Sequence, residues 1–285
     1  MDQLRMFRLG IGVLLAVLLT LTPAVWAADV EIPDQNLDKV IREILKRKQI
    51  EKEKISDDDL SKIYFLTANG KDIENLSGLE HCINLAEVRL ANNKITDVKP
   101  LETCVNIQSL DLEKNQIADI SPLAKLVKLQ YLNLDHNQVA SLDPVSGLKA
   151  MNSLYVSNNQ VESLGPVANL SKLWSLYAGD NKIKDLGPVK DLKWLSNLDV
   201  RGNEITDVAP ISSLKELRWT FLHRNQISDI SPLVAMTKTN DGPDRSFAPF
   251  WNLYLGKNPM DDEPQKAKLA ELKEMGVRLN LDYVD

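Results

Sequence analysis

An asparagine recurs at Asn93, Asn115, Asn137, Asn159, Asn181, Asn203 and Asn225, every 22 residues without a slip. A unit this short cannot bury an apolar face alone, so the copies must stack on one another. A length of 285 residues would otherwise suggest one or two domains. A stack instead shares one continuous core that lengthens with copy number. With 44% apolar and 26% charged residues the composition is that of an ordinary folded chain.

Around each asparagine the pattern reads L-x-x-L-x-L-x-x-N-x-I-x-x-I-x-x-L. One copy is Leu129, Leu132, Leu134, Asn137, Val139, Leu142 and Val145; the first is degenerate, with Lys71 where Asn belongs. The last two Leu of L-x-x-L-x-L alternate with polar residues, which predicts a short strand such as 131–135 with Leu132 and Leu134 inward. Stacked strands make a parallel sheet at about 4.8 Å per repeat. The Asn turns inward after the strand, where its amide can pair backbone groups that would otherwise be buried alone. Seven residues after every Asn stands a proline, Pro100 through Pro232. Proline suits the first position of a helical turn. Only about ten residues remain for the return, which predicts 3₁₀ turns on the outer face.

The pattern resembles the leucine-rich repeat, specifically the 22-residue class of the internalin family of bacterial surface and secreted proteins. The stretch from Ile32 to Leu79, running into "LSGLEHCINL", also resembles the internalin N-terminal cap. The resemblance implies an α/β solenoid: a curved leucine-rich-repeat stack with a concave parallel β-sheet and a 3₁₀ or irregular convex side. A helical N-terminal cap and a helix-strand C-terminal cap close it. Internalins usually continue into an immunoglobulin-like domain and a wall anchor; this chain stops, so adhesion through those parts is not implied.

The expected organisation follows. Residues 1–27 read as a secretory signal, with Arg5 and Arg8 before the apolar run Ile11 to Leu21 and small residues before a cut after Ala27. A retained membrane anchor is the alternative, but that run is short for a span of about 20 residues. Residues 28–62 form the helical cap, with Leu37, Val40, Ile41, Ile44 and Leu45 on one helix face and Asp34 at its start. A second short helix follows Ser56, and Asp57, Asp58 and Asp59 suit its positive end better than they suit calcium. Repeats fill 63–260, and 261–285 close the stack with a helix through Leu269, Leu272 and Met275 and a strand through Val277, Leu279 and Leu281. After Leu233 the period breaks, and the next copy is Phe250, Leu253, Leu255, Asn258 and Met260. An insertion at about 237–249 is expected at the sheet's N-terminal rim, as a surface loop or a binding element.

Catalytic chemistry is not expected. His81, His136 and His223 are scattered, no H-E-x-x-H, G-x-S-x-G or phosphate-binding loop occurs, and no metal or cofactor is implied. A net charge of -6 disfavours general nucleic-acid or anionic-membrane binding. Cys82 and Cys104 share one repeat column and should stack as neighbours, either as a disulfide or as two small core thiols.

The functional signal lies on the outward strand positions. Tyr131, Tyr155 and Tyr177 share one end of the predicted concave face, and Trp219, Phe221 and Tyr254 lie beyond Asp199 and Arg201, with His223 alongside. Aromatics at such positions carry interface energy, although a ring ladder can also merely stabilise a sheet. Charge divides too, with Asp111, Glu113 and Asp135 in one half and Arg201, His223, Arg224 and Lys257 in the other. The expected function is an exported, monomeric, non-catalytic module that binds a protein or peptide partner through these residues, with Arg201 and His223 fixing register. Glycan or cell-wall binding and a self-assembling envelope component are the alternatives.

Overall fold

A computed structural model describes residues 28–240 and 247–282. The signal segment expected at residues 1–27 lies outside the described residues. The N-terminal cap is built from β1 (Asp29–Val30), α1 (Gln35–Arg47), β2 (Ile55–Ser56) and α2 (Asp57–Leu60). The antiparallel pairing of β1 with β2 was not legible in so short a stretch. Asp34 caps α1 by accepting from the Asn36 and Leu37 amides at 2.9 and 3.0 Å. Its other oxygen accepts from Glu74 N at 2.8 Å and Asn75 N at 3.1 Å, so one carboxylate both starts the helix and fastens the cap to the stack. The acidic run caps α2 and pairs with lysines. Asp59 closes a capping box with Ser56 and accepts from Lys52 Nζ at 2.9 Å, while Asp58 pairs with Lys62 at 2.7 Å.

Ten strands then form one parallel sheet in sequence order: β3 (Phe65–Thr67), β4 (Glu87–Arg89), β5 (Ser109–Asp111), β6 (Tyr131–Asn133), β7 (Ser153–Tyr155), β8 (Ser175–Tyr177), β9 (Asn197–Asp199), β10 (Trp219–Phe221), β11 (Asn252–Tyr254) and β12 (Arg278–Asn280). The register advances by one repeat per strand, as in Leu132 beside Leu154 and Tyr155 beside Tyr177. Behind the sheet the Leu, Ile and Val columns form a continuous buried core. Each proline from Pro100 to Pro210 opens a 3₁₀ turn, as in Ser121–Lys125 and Gly165–Asn169.

The asparagines hold the turns together. Asn137 Nδ2 donates to Leu134 O at 3.0 Å in its own turn and to Leu112 O at 2.9 Å in the turn before. Its Oδ1 accepts from Ile117 N at 3.0 Å, so the side chain satisfies donors and acceptors on two successive turns. The same bonds recur at Asn93, Asn115, Asn159, Asn181, Asn203, Asn225 and Asn258. The residue before each Asn takes the left-handed conformation, including Lys114 (φ 52), His136 (φ 56) and Arg224 (φ 56), with Gly202 at one of these positions and Gly70 at the equivalent one before Lys71. Only the glycines and Asn92, Asn158 and Asp180 suit that conformation on composition.

Four expectations need correction. Pro232 opens not a 3₁₀ turn but α3 (Ser231–Asn240), which packs against the C-terminal helix α4 (Glu263–Glu274). Lys238 pairs with Glu271 at 2.5 Å and Lys268 with Asp229 at 2.8 Å, so the described start of the insertion belongs to the outer side rather than the sheet rim. At its far end Phe250 does not enter the core and is 54% exposed; Trp251 is fully buried in its place. The indole N–H donates to Thr220 Oγ1 at 2.8 Å. Thr220 stands where other repeats place Leu, and its otherwise costly buried hydroxyl finds this partner. In the C-terminal cap Leu272 and Val277 are buried as expected, but Leu281 is exposed.

Replacing Asn137 with Ala leaves Leu112 O, Leu134 O and Ile117 N without the side-chain partner. The expected loss in a denaturant titration is about 1–3 kcal/mol. Lys114→Gly relieves a left-handed backbone at an exposed site, and a gain of up to about 1 kcal/mol in the same titration is expected.

Candidate functional site

The outward side chains of β6 to β11 stand in columns because parallel registration repeats the same position at each turn. Tyr155 and Tyr177 occupy one column and stack face to face, with ring centroids 4.7 Å apart and planes at 4°. Tyr131 continues the row at 5.4 Å from Tyr155. Farther along, Phe221 stacks on Tyr254 at 4.4 Å, and Trp219 lies 6.4 Å from both. The row of three tyrosines and the cluster of Trp219, Phe221 and Tyr254 are thus separate groups on one sheet, split by β9.

The divider is an ionic cluster. Arg224 Nη2 donates to Asp180 Oδ1 at 2.8 Å, and Arg201 Nε lies 3.8 Å from Asp180 and 3.6 Å from Asp199. Glycines make room for it. A Cβ at Gly202 would collide with the Asp180 carboxylate, and one at Gly179 would come within 3.2 Å of Asp199 Oδ1 and 3.0 Å of Arg201 Cγ. Asp180 was missed as a site residue because it sits in the left-handed turn column, where an acidic residue reads as turn chemistry.

Burial corrects two of the expected site residues. Asp199 is 3% and His223 only 1% exposed, so neither side chain meets solvent as an outward strand position would. Asp199 accepts from Arg201 N at 3.1 Å, and the His223 ring lies edge-on to Phe221 at 6.4 Å. Tyr131, Tyr155, Tyr177, Arg201, Phe221 and Tyr254 are half-buried, and Trp219 is 43% exposed. Cys82 and Cys104 are buried free thiols. Burial raises both, the Cys104 thiol to about 11, and Cys104 Sγ donates to Leu79 O at 3.2 Å.

The other half of the face is acidic. Asp135 accepts from Ser157 N at 2.6 Å, yet burial and, secondarily, the neighbouring charges of Glu113 and Asp199 push its carboxyl up to about 6. Asp111 is also raised, chiefly by burial. Burial, with Asp111 beside it, pushes the Tyr131 hydroxyl up to about 12. Among the described residues no group of three or more His, Cys, Asp or Glu could hold a metal ion. No helix there is long and apolar enough to cross a membrane.

The geometry is that of a leucine-rich-repeat solenoid, a class whose members are generally protein-interaction scaffolds rather than enzymes. A family model of leucine-rich repeats (two copies) matches residues 83–125 and 127–172. The fold is similar to an internalin (inlF) of Listeria monocytogenes, 29% identical over 92% of this chain and 75% of that one, with a TM-score of 0.75. Internalin C2 of the same organism is 31% identical, covering 72% of this chain and 90% of its own, with a TM-score of 0.68. A leucine-rich-repeat protein of Leptospira interrogans shares the fold at 22% identity, with a TM-score of 0.66 over 80% of this chain and 62% of that one. No curated protein matches in sequence. The chain belongs to the internalin family of bacterial leucine-rich-repeat proteins.

A carboxyl raised to about 6 in the fold stays neutral there over a range in which it ionises in the unfolded chain. Stability should therefore fall as pH rises from about 4 to about 6, and remain lower above that. Asp135→Asn keeps an acceptor for Ser157 N. It should flatten this part of the pH profile and, at neutral pH, add on the order of 1–2 kcal/mol after allowance for solvent screening, as read by thermal melts across the range.

Proposed function

We propose that this protein is an exported, non-catalytic module that binds a protein or peptide partner on its concave sheet. The observation that carries the reading is the pair of aromatic groups on one face, the Tyr155–Tyr177 stack at 4.7 Å and the Phe221–Tyr254 stack at 4.4 Å. Rings already stacked lose little side-chain freedom when a partner covers them, which favours their use as anchors. A stabilising ladder alone would need neither two groups nor the Asp180–Arg201–Arg224 cluster between them.

Charge orients the partner. Asp111, Glu113 and Asp135 lie at the tyrosine end, whereas Arg201 and Arg224 lie between the two groups, so a partner with the complementary order docks one way round. Arg201 is the register residue of this proposal; the burial of Asp199 and His223 leaves them to support it from beneath. Export rests on the basic and apolar pattern of residues 1–27. The protein works as a monomer in this reading.

The test is affinity capture with the chain from Ala28 onward, which contains the whole described fold, against a Tyr177→Ala, Phe221→Ala double variant of unchanged circular dichroism. A partner retained by the native chain and weakened at least about tenfold by the double variant supports the assignment. Equal retention by both proteins refutes the concave site.

A further inference from the structure

Most of the large apolar side chains that the fold leaves exposed gather at one edge of the sheet, and two of them, Phe65 and Trp219, stand at the first outward strand position and so border the concave face as well. Of the ten most exposed among the described residues, nine fall between four residues before a strand and its first residue. That window is under a quarter of each 22-residue repeat. It forms the N-terminal rim of the sheet, one lateral edge of the solenoid. Ile83, Val105 and Val127 repeat there in a single column, 48%, 42% and 58% exposed. Trp174, Trp194 and Trp219 follow at 51%, 61% and 43%.

The same edge is basic. Lys172, Lys193 and Lys215 are exposed and have no carboxylate within ion-pairing distance among the described residues. The Arg218 guanidinium lies 6.0 Å from the ring centroid of the exposed Phe250. The far edge carries the aspartate column Asp97, Asp119, Asp185, Asp207 and Asp229 and, apart from Leu281, none of the ten exposed apolar side chains.

We infer that this rim docks the protein edge-on to an anionic lipid surface. Parallel registration brings the start of every strand to one side of the stack, so a planar surface can meet the indoles and lysines together. A protein hot spot needs rings packed in a pocket. Here the Trp174 and Trp194 indoles protrude singly, which suits the headgroup boundary where Trp is enriched. Each lysine near an anionic leaflet contributes about 1 kcal/mol, and that attraction fades within a Debye length of about 8 Å. The net charge of -6 disfavours anionic lipid for the molecule as a whole, but the charge is unevenly placed: the aspartate column follows each strand, whereas Lys172, Lys193 and Lys215 precede theirs. Docking of this kind leaves the concave sheet open, and it does not depend on the concave site.

The test is flotation of the chain from Ala28 onward with phosphatidylcholine vesicles, either pure or containing roughly one third phosphatidylglycerol. Of its tryptophans only Trp251 is buried, so the blue shift of indole emission on binding reports the rim directly. Binding to the anionic vesicles alone is expected. It should fall at least about tenfold in a Lys172→Glu, Lys193→Glu, Lys215→Glu variant and in a Trp174→Ala, Trp194→Ala variant. The Tyr177→Ala, Phe221→Ala variant should bind vesicles like the native chain, which keeps failure of the concave site distinct. No binding to anionic vesicles, or binding indifferent to the rim substitutions, overturns the inference. Rim-dependent binding to a glutamate–tyrosine copolymer without vesicle binding overturns it in favour of an acidic protein partner.

Discussion

Every turn of this solenoid buries backbone groups that neither the three-residue strand nor the outer 3₁₀ turn can pair. The asparagine amide meets that need. Asn137 takes carbonyls from its own and the preceding turn and returns an acceptor to Ile117 N. Because each side chain bridges two turns, the column fixes the rise between repeats and, through it, the register of the sheet. The aromatic columns, the ionic divider and the rim all inherit their placement from that register.

Much of this was legible from periodicity. The Leu, Ile and Val columns, the Asn ladder and the proline-led turns from Pro100 to Pro210 follow from spacing, because in a repeat protein one position has one environment; the caps, which do not repeat, were expected from helix-face patterns and from the internalin resemblance. Where the environment depends on a neighbouring repeat, spacing could not reveal it. Asp199 and His223 occupy outward columns but are buried, and Gly202 in the same turn as Asp199 and Gly179 in the turn before leave the room that Asp180, Asp199 and Arg201 occupy. The hydroxyl of Thr220 in a Leu column likewise depends on Trp251, which stands across the insertion and donates to it. The left-handed column was hidden because Lys, His and Arg stand in it beside Gly and Asn.

The molecule divides its surface by chemistry. The concave tyrosines and Phe221 are half-buried against one another in two groups, whereas Trp174 and Trp194 at the rim stand alone and more exposed. Half-buried stacked rings present faces to a shaped partner, and isolated rings beside lysines present tips to a flat one. The two surfaces share strands but not side chains, Trp219 excepted, which belongs to the cluster with Phe221 and also opens its strand at the rim.

The asparagine ladder also makes the architecture modular in length. A whole 22-residue unit inserted between Tyr177 and Phe221 would find its amide partners above and below, while a fragment of a unit would not. The spacing between the two aromatic groups can therefore change only in steps of one strand, about 4.8 Å. Recognition in such a chain is tuned like a ruler with fixed graduations: coarse changes come from counting repeats, and fine ones from substituting a residue within a column.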